Sequence, residues 1–211
     1  MAARGQYARG VARRAQILET ALAVVARDGY SRATVKQIAD EAGISQNGLL
    51  HHFGSKEALL SEVLQRRDEA DHAAKASGPG EDGRGDPPPL TSMDDMAAGV
   101  ARLLRHNASV PGLVQLYSRL STEATDPGHT SHDYFVQRFR TIRGHMQVAF
   151  DELGAAGELP PGADPATLAT VMVALLDGLQ VQWLYDDEMD MAAPVEHLLA
   201  LLAGGAPASG G

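Results

Sequence analysis

Apolar residues recur along this chain at intervals of three and four, the period of a helix with one buried face. In "VARRAQILETALAVVARDGY" the face is Ile17, Leu18, Ala21, Leu22 and Val25, and Asp28-Gly29 ends the segment. A second segment starts at Thr34, where "TVKQ" has capping-box spacing with Thr34 as cap and Gln37 reaching back. Its apolar positions are Val35, Ile38, Ala39 and Ala42, and Gly43 closes it. Ser45 caps a third, very short segment that runs to Phe53, and Gly54 breaks it. Ser55 caps a fourth, which continues through Leu59, Leu60, Val63 and Leu64 towards Asp71. The stretch "SGPGEDGRGDPPP" at 77–89 cannot continue a helix and is expected to be a mobile loop. Beyond it the pattern predicts helices near 93–107, 111–124, 130–153, 165–185 and 193–203, with Pro111, Pro165 and Pro194 suited to first turns. There is no internal repeat and no strand-like alternation of useful length. The fold class is therefore all-α, with about nine helices.

At 211 residues the chain can bury a substantial core as one domain or two small ones, and a hydrophobic content of 44% places it among globular proteins. It has no cysteine, which excludes disulfides and thiolate metal sites. No apolar run reaches the ~18 residues of a membrane span, and the basic start lacks the apolar stretch of a secretory signal. These features predict a soluble, cytoplasmic protein without a membrane partner. The net charge of −9 argues at first against a nucleic-acid partner, but it is unevenly distributed. Residues 1–67 hold ten Lys/Arg against six Asp/Glu, a net of +4, and the remainder carries −13. A basic head can face a polyanion while an acidic body keeps the protein from nonspecific contact.

The head contains the means to do so. Two helices of about eight residues joined by "EAGIS" have the form of a helix-turn-helix, with Ala39 small where the helices approach and Ile44 placed to plug the turn. In such a unit the second helix enters the DNA major groove with its first residues at the base edges. Ser45, Gln46 and Asn47 stand there, and Gln or Asn can pair bidentately with adenine. Gly48 weakens the helix by roughly 1 kcal/mol relative to alanine, and it leaves room for close backbone approach. Leu49 and Phe53 lie on the opposite face and should hold the helix to its neighbours. Thr34, His51, His52 and Lys56 are placed to clamp phosphates, the first and last at helix starts where amides attract anions. Arg4, Arg9, Arg13 and Arg14 can be read as a flexible arm reaching phosphate or the minor groove, or equally as a solvated tail.

The run "TVKQIADEAGISQNGLLHHFGSKEALLSEVL" resembles the DNA-binding domain of the tetracycline-repressor (TetR) family of bacterial transcription regulators. The match covers about residues 12–64 and includes His52-Phe53-Gly54-Ser55-Lys56-Glu57-Ala58-Leu59. It departs at Leu50, where the family usually has a tyrosine that contacts the DNA backbone or a thymine methyl; leucine can touch the methyl but cannot donate to phosphate. The resemblance implies a homodimeric repressor with a helical C-terminal domain that dimerises and binds a small-molecule effector, and an effector that releases a palindromic operator. "DPATLATVMVALLDGLQVQWLYDDEMD" and "APVEHLLALLAG" look like the family's last two helices, which pair as a four-helix dimer interface. The expected domains are a DNA-binding head at 1–55, a ligand-binding and dimerisation body at 56–205, and a disordered tail at 206–211.

Candidates for a mostly apolar effector pocket are Leu116, Tyr117, Leu120, Tyr134, Phe135, Phe139, His145, Met146, Met172, Asp177, Gln180 and Trp183. For any one of them plain packing is the simpler explanation, and Gln180 and Trp183 can equally serve the dimer interface. No cofactor or metal is implied: His51 and His52 diverge as helix neighbours, His129 and His132 stand at an expected helix start with no carboxylate pattern and read as exposed surface, and "DDEMD" lacks calcium-loop spacing. No catalytic residues are assigned, because nucleophile elbow, phosphate loop, H-E-x-x-H and dinucleotide fingerprint are all missing. The rival to a regulator is a dimeric small-molecule-binding protein that has lost sequence-specific DNA binding; an enzyme is the more distant alternative.

Overall fold

The computed structural model describes residues 2–76 and 92–204, with side chains from 10–68 and 92–204. The expected loop at 77–89, the tail at 206–211 and the side chains of Arg4 and Arg9 lie outside the described residues. Nine helices and no strand occur among the described residues: α1 (Ala2–Asp28), α2 (Val35–Glu41), α3 (Gln46–Phe53), α4 (Lys56–Ala76), α5 (Met93–Ala108), α6 (Pro111–Glu123), α7 (His132–Ala155), α8 (Pro165–Trp183) and α9 (Ala192–Leu202). All but the first start within about two residues of the expected positions. The exception is α1, which extends to Ala2 instead of starting near Val11. The basic N-terminus is thus helical and not a flexible arm.

The chain divides into two compact units. One comprises α1–α4, α6 and the turn that follows as far as Tyr134; the other comprises α5, α7 from Phe135 onward, α8 and α9. This packing division does not fall at the expected 55/56 boundary, because α4 and α6 both pack with α1. In the first unit the core is Ile17, Ala21, Val24 and Val25 of α1, Ile38 and Ala39 of α2, Leu49 and Phe53 of α3, Leu59, Leu60 and Val63 of α4, and Leu116 and Leu120 of α6. Leu22, expected on the buried face, is only half-buried, and Val24 takes that place.

Capping explains where the short helices start. The Thr34 hydroxyl accepts from the Gln37 N–H at 3.1 Å, and the Ser45 hydroxyl accepts from the Gly48 N–H at 3.0 Å. The reciprocal half of the predicted capping box does not form: the Gln37 amide donates instead to Asp28 and, at 3.4 Å, to Glu41. Acceptors at the end of α1 and one turn along α2 itself outcompete the cap. Gly43 makes the turn at φ +67°, a conformation that L side chains rarely adopt.

In the second unit Ser92 and Asp164 cap α5 and α8, accepting from the N–H groups of Asp95 and Thr167. α5 lies along α9, with Met93, Met96 and Leu104 of the former and Val195 and Leu199 of the latter fully buried. α8 is long and apolar enough to cross a membrane by length and composition alone, but its Ala169, Met172, Val173, Leu176, Leu179 and Trp183 belong to the core.

Candidate nucleic-acid interface

The recognition helix α3 carries opposite chemistry on its two sides. Leu49 and Phe53 are buried; Ser45, Gln46, Asn47 and His51 are exposed, and Gly48, Leu50 and His52 are half-buried. The first-turn polar groups therefore face outward, as a groove-reading helix requires. Gly48 has a role within the chain as well. A Cβ there would lie 3.2 Å from the Ser45 Oγ that caps the helix, so the glycine spares the cap from crowding.

Two arginines that sequence reasoning left between arm and tail instead hold the helix-turn-helix in place. Arg13 Nη2 donates to the carbonyls of Ala42 at 2.9 Å and Gly43 at 3.2 Å, serving the carbonyl end of α2 and the turn. Arg14 donates to the His52 carbonyl at the end of α3, pairs with Glu62 of α4, and places its guanidinium 4.2 Å from the centre of the Phe53 ring. The sequence showed the charges but not their targets, which are backbone carbonyls 29 to 38 residues away. Arg14→Leu retains apolar cover for Phe53 but leaves the His52 carbonyl and Glu62 without their donor. It should cost about 1–2 kcal/mol in denaturant melts. DNA affinity should fall with an unchanged salt slope, because no phosphate contact is lost.

The predicted phosphate clamps differ in their surroundings. Thr34 is exposed at the start of α2. Lys56 is half-buried at the start of α4: its ammonium donates to the Tyr30 carbonyl at 3.4 Å and lies 4.8 Å from the centre of the Tyr30 ring. Burial pulls its pKa below the ordinary lysine value, against the opposing influence of Glu57. At the same end of α1, Arg27 bridges Asp28 and Glu41 and holds both carboxyls below the usual range, which ties α1 to α2.

The pocket candidates fall in both units. In the first, Leu116, Tyr117 and Leu120 are buried on α6, and the Tyr134 hydroxyl donates to Asp68 at 3.0 Å. In the second, Phe135, Met172, Gln180 and Trp183 are buried, Phe139, Met146 and Asp177 are half-buried, and His145 is exposed. Gln180 accepts from Asn107 at 3.3 Å, and the Trp183 indole donates to the Asp187 carbonyl at 3.1 Å. Both side chains are thus committed within the chain, and the acidic loop builds the turn before α9. No group of three or more His, Asp or Glu able to hold a metal ion occurs among the described residues.

Comparison with known proteins agrees with this geometry. Residues 17–63 match the model of the bacterial regulatory proteins of the tetR family, and residues 132–206 match that of the BetI-type transcriptional repressor C-terminal domain. The chain is 30% identical over 180 residues to the HTH-type transcriptional repressor Rv1474c of Mycobacterium tuberculosis, covering 76% of this chain and 89% of that protein. It is 27% identical to the HTH-type transcriptional regulator TtgR of Pseudomonas putida, covering 87% and 86% respectively. Among solved structures, the transcriptional regulator FadR from Bacillus subtilis in complex with stearoyl-CoA aligns with a TM-score of 0.66 at 18% identity, covering 90% of this chain and 98% of that one.

Proposed function

The chain belongs to the TetR family of bacterial transcription regulators, a family of DNA-binding, ligand-responsive proteins and not of enzymes, and from that premise we propose that it is a homodimeric, cytoplasmic repressor that grips a palindromic operator until a small molecule releases it. The observation that carries the proposal is the outward-facing polar turn of α3, capped by Ser45 and held from behind by Arg13 and Arg14. Ser45, Gln46, Asn47 and Gly48 meet base edges, Leu50 meets a thymine methyl, and Thr34, His51, His52 and Lys56 clamp phosphates.

The dimer forms through α8 and α9. Only 33% of the apolar window of α8 is buried within the chain. Val171, Ala174, Gly178 and Val181 recur at spacings of three and four along its less buried side, Tyr185 just past its end is 91% exposed, and Leu201 of α9 is 51% exposed. A two-fold interface there presents two copies of α3 to successive major grooves, about 34–36 Å apart or somewhat more. The effector is a small molecule taken up by the helical body, a reading supported by the similarly folded FadR, whose ligand stearoyl-CoA joins a long apolar chain to a charged head.

Selection of bound sequences from a random duplex pool tests the proposal. A two-fold symmetric site with a steep salt dependence is expected; no recovered sequence from folded, dimeric protein would overturn it. Gln46→Ala and Asn47→Ala should relax the recovered sequence preference. Lys56→Ala should weaken binding to every duplex alike and lower the salt slope by ~1. A change of preference with Lys56→Ala and none with Gln46→Ala would reverse these roles.

A further inference from the structure

Every interacting part of Tyr30 is in use, and its partners come from two different helices. From α6, Gln115 Oε1 accepts the Tyr30 backbone N–H at 3.1 Å, the Arg119 guanidinium lies 5.0 Å from the ring centre, and a Glu123 carboxylate oxygen accepts from the hydroxyl at 3.2 Å. These residues follow Gly112 at spacings of three, four and four, so a single face of α6 grips the end of α1. From α4 comes Lys56, over the same ring and on the Tyr30 carbonyl. Arg119 and Glu123 are also bonded to each other at 2.9 Å.

Two cations therefore share one aromatic ring, with one carboxylate beside them. The charge of Arg119 disfavours the Lys56 ammonium at this place and that of Glu123 favours it. A lysine ammonium held over a ring and against a carbonyl is not at the same time presented to a phosphate outside. We propose that Arg119 and Glu123 of α6 are positioning residues for DNA binding, which act through Tyr30 to set whether Lys56 lies on the ring or is offered to phosphate. The inference rests on the operator-binding proposal above and adds to it a route by which charge on α6 reaches a DNA contact at the head of α4.

The two α6 side chains should then act with opposite signs. Glu123→Gln keeps an oxygen for the Tyr30 hydroxyl but removes the charge that draws Lys56 in, so duplex affinity should rise about threefold. Arg119→Gln removes the repulsion, so affinity should fall by about the same factor. Both effects should vanish in the Lys56→Ala background. The probe is a random-sequence duplex at low salt, which senses phosphate contact without requiring the operator to be known. A second readout is the NMR signal of the Lys56 ε-methylene. It should be shielded by the Tyr30 ring in the free protein, lose that shielding on saturation with duplex, and also lose it in Tyr30→Leu without DNA. If the two variants shift affinity in the same direction, if their effects persist without Lys56, or if the shielding survives saturation, the inference is overturned while DNA binding stands. If wild-type protein binds no duplex, the operator-binding proposal itself fails and the inference falls with it.

Discussion

Gly112→Ala is expected to destabilise the first compact unit by about 3 kcal/mol or more, one of the largest effects available to a single methyl group in this chain. A Cβ at Gly112 would stand 2.0 Å from the Val25 carbonyl oxygen, 3.0 Å from that of Ala26 and 3.1 Å from the Val25 carbonyl carbon. All three are backbone atoms of α1, so no rotamer change relieves the overlap. The start of α6 must instead move off α1, and the Gln115 and Glu123 contacts to Tyr30 would be strained with it. Thermal melts should record a fall of roughly 10–20 °C, on the scale of several degrees per kcal/mol for a unit of this size. Gly10→Ala is the internal control, since Gly10 lies within α1 and nothing stands within 4 Å of its added Cβ. There alanine should be neutral or mildly stabilising. An unchanged melt for Gly112→Ala would mean that α6 does not seat against the α1 backbone.

That contact also marks where the sequence stopped being legible. Helix positions followed from local signals: Thr34, Ser45 and Ser55 stand at starts, glycines at ends, and prolines in first turns. The buried and exposed sides of α3 followed from period alone, because Leu49 and Phe53 are four residues apart. Which helices pack together did not follow, since no local pattern records that α6 belongs with α1 or α5 with α9. A glycine directly after Pro111, in an otherwise apolar helix start, was the available hint of close approach. The long polar side chains were the least legible. Gln37 fitted a capping box by spacing but its side chain bonds elsewhere, and Arg13 and Arg14 could be read equally as an arm or a tail but serve helix ends. Lys56 was recognisable as a helix-start cation, but its position over Tyr30 depends on a residue 26 positions earlier. Flexible charged side chains reach targets set by the tertiary fold, so their roles are read last.

Val181→Asp should abolish dimerisation and take operator affinity with it. Val181 lies on the less buried side of α8 at 44% exposure, so a carboxylate there is hydrated in the separate chain and folding should survive. In the proposed two-fold interface each substitution appears twice, and each buried carboxylate lacks a partner. At several kcal/mol for an unpaired buried charge, dimer dissociation should increase by roughly a thousandfold or more. A monomer loses the advantage of its second half-site, about a hundredfold or more in apparent affinity, although every residue of α3 is unchanged. Val148→Asp is the matched control: Val148 is 56% exposed on α7, a helix outside the proposed interface, and its substitution should leave both properties intact. Light scattering and operator titration on the same samples separate the possibilities. A Val181→Asp protein that remains dimeric would place the interface elsewhere, and a monomer that still holds the palindrome at full strength would show that two recognition helices are not needed together.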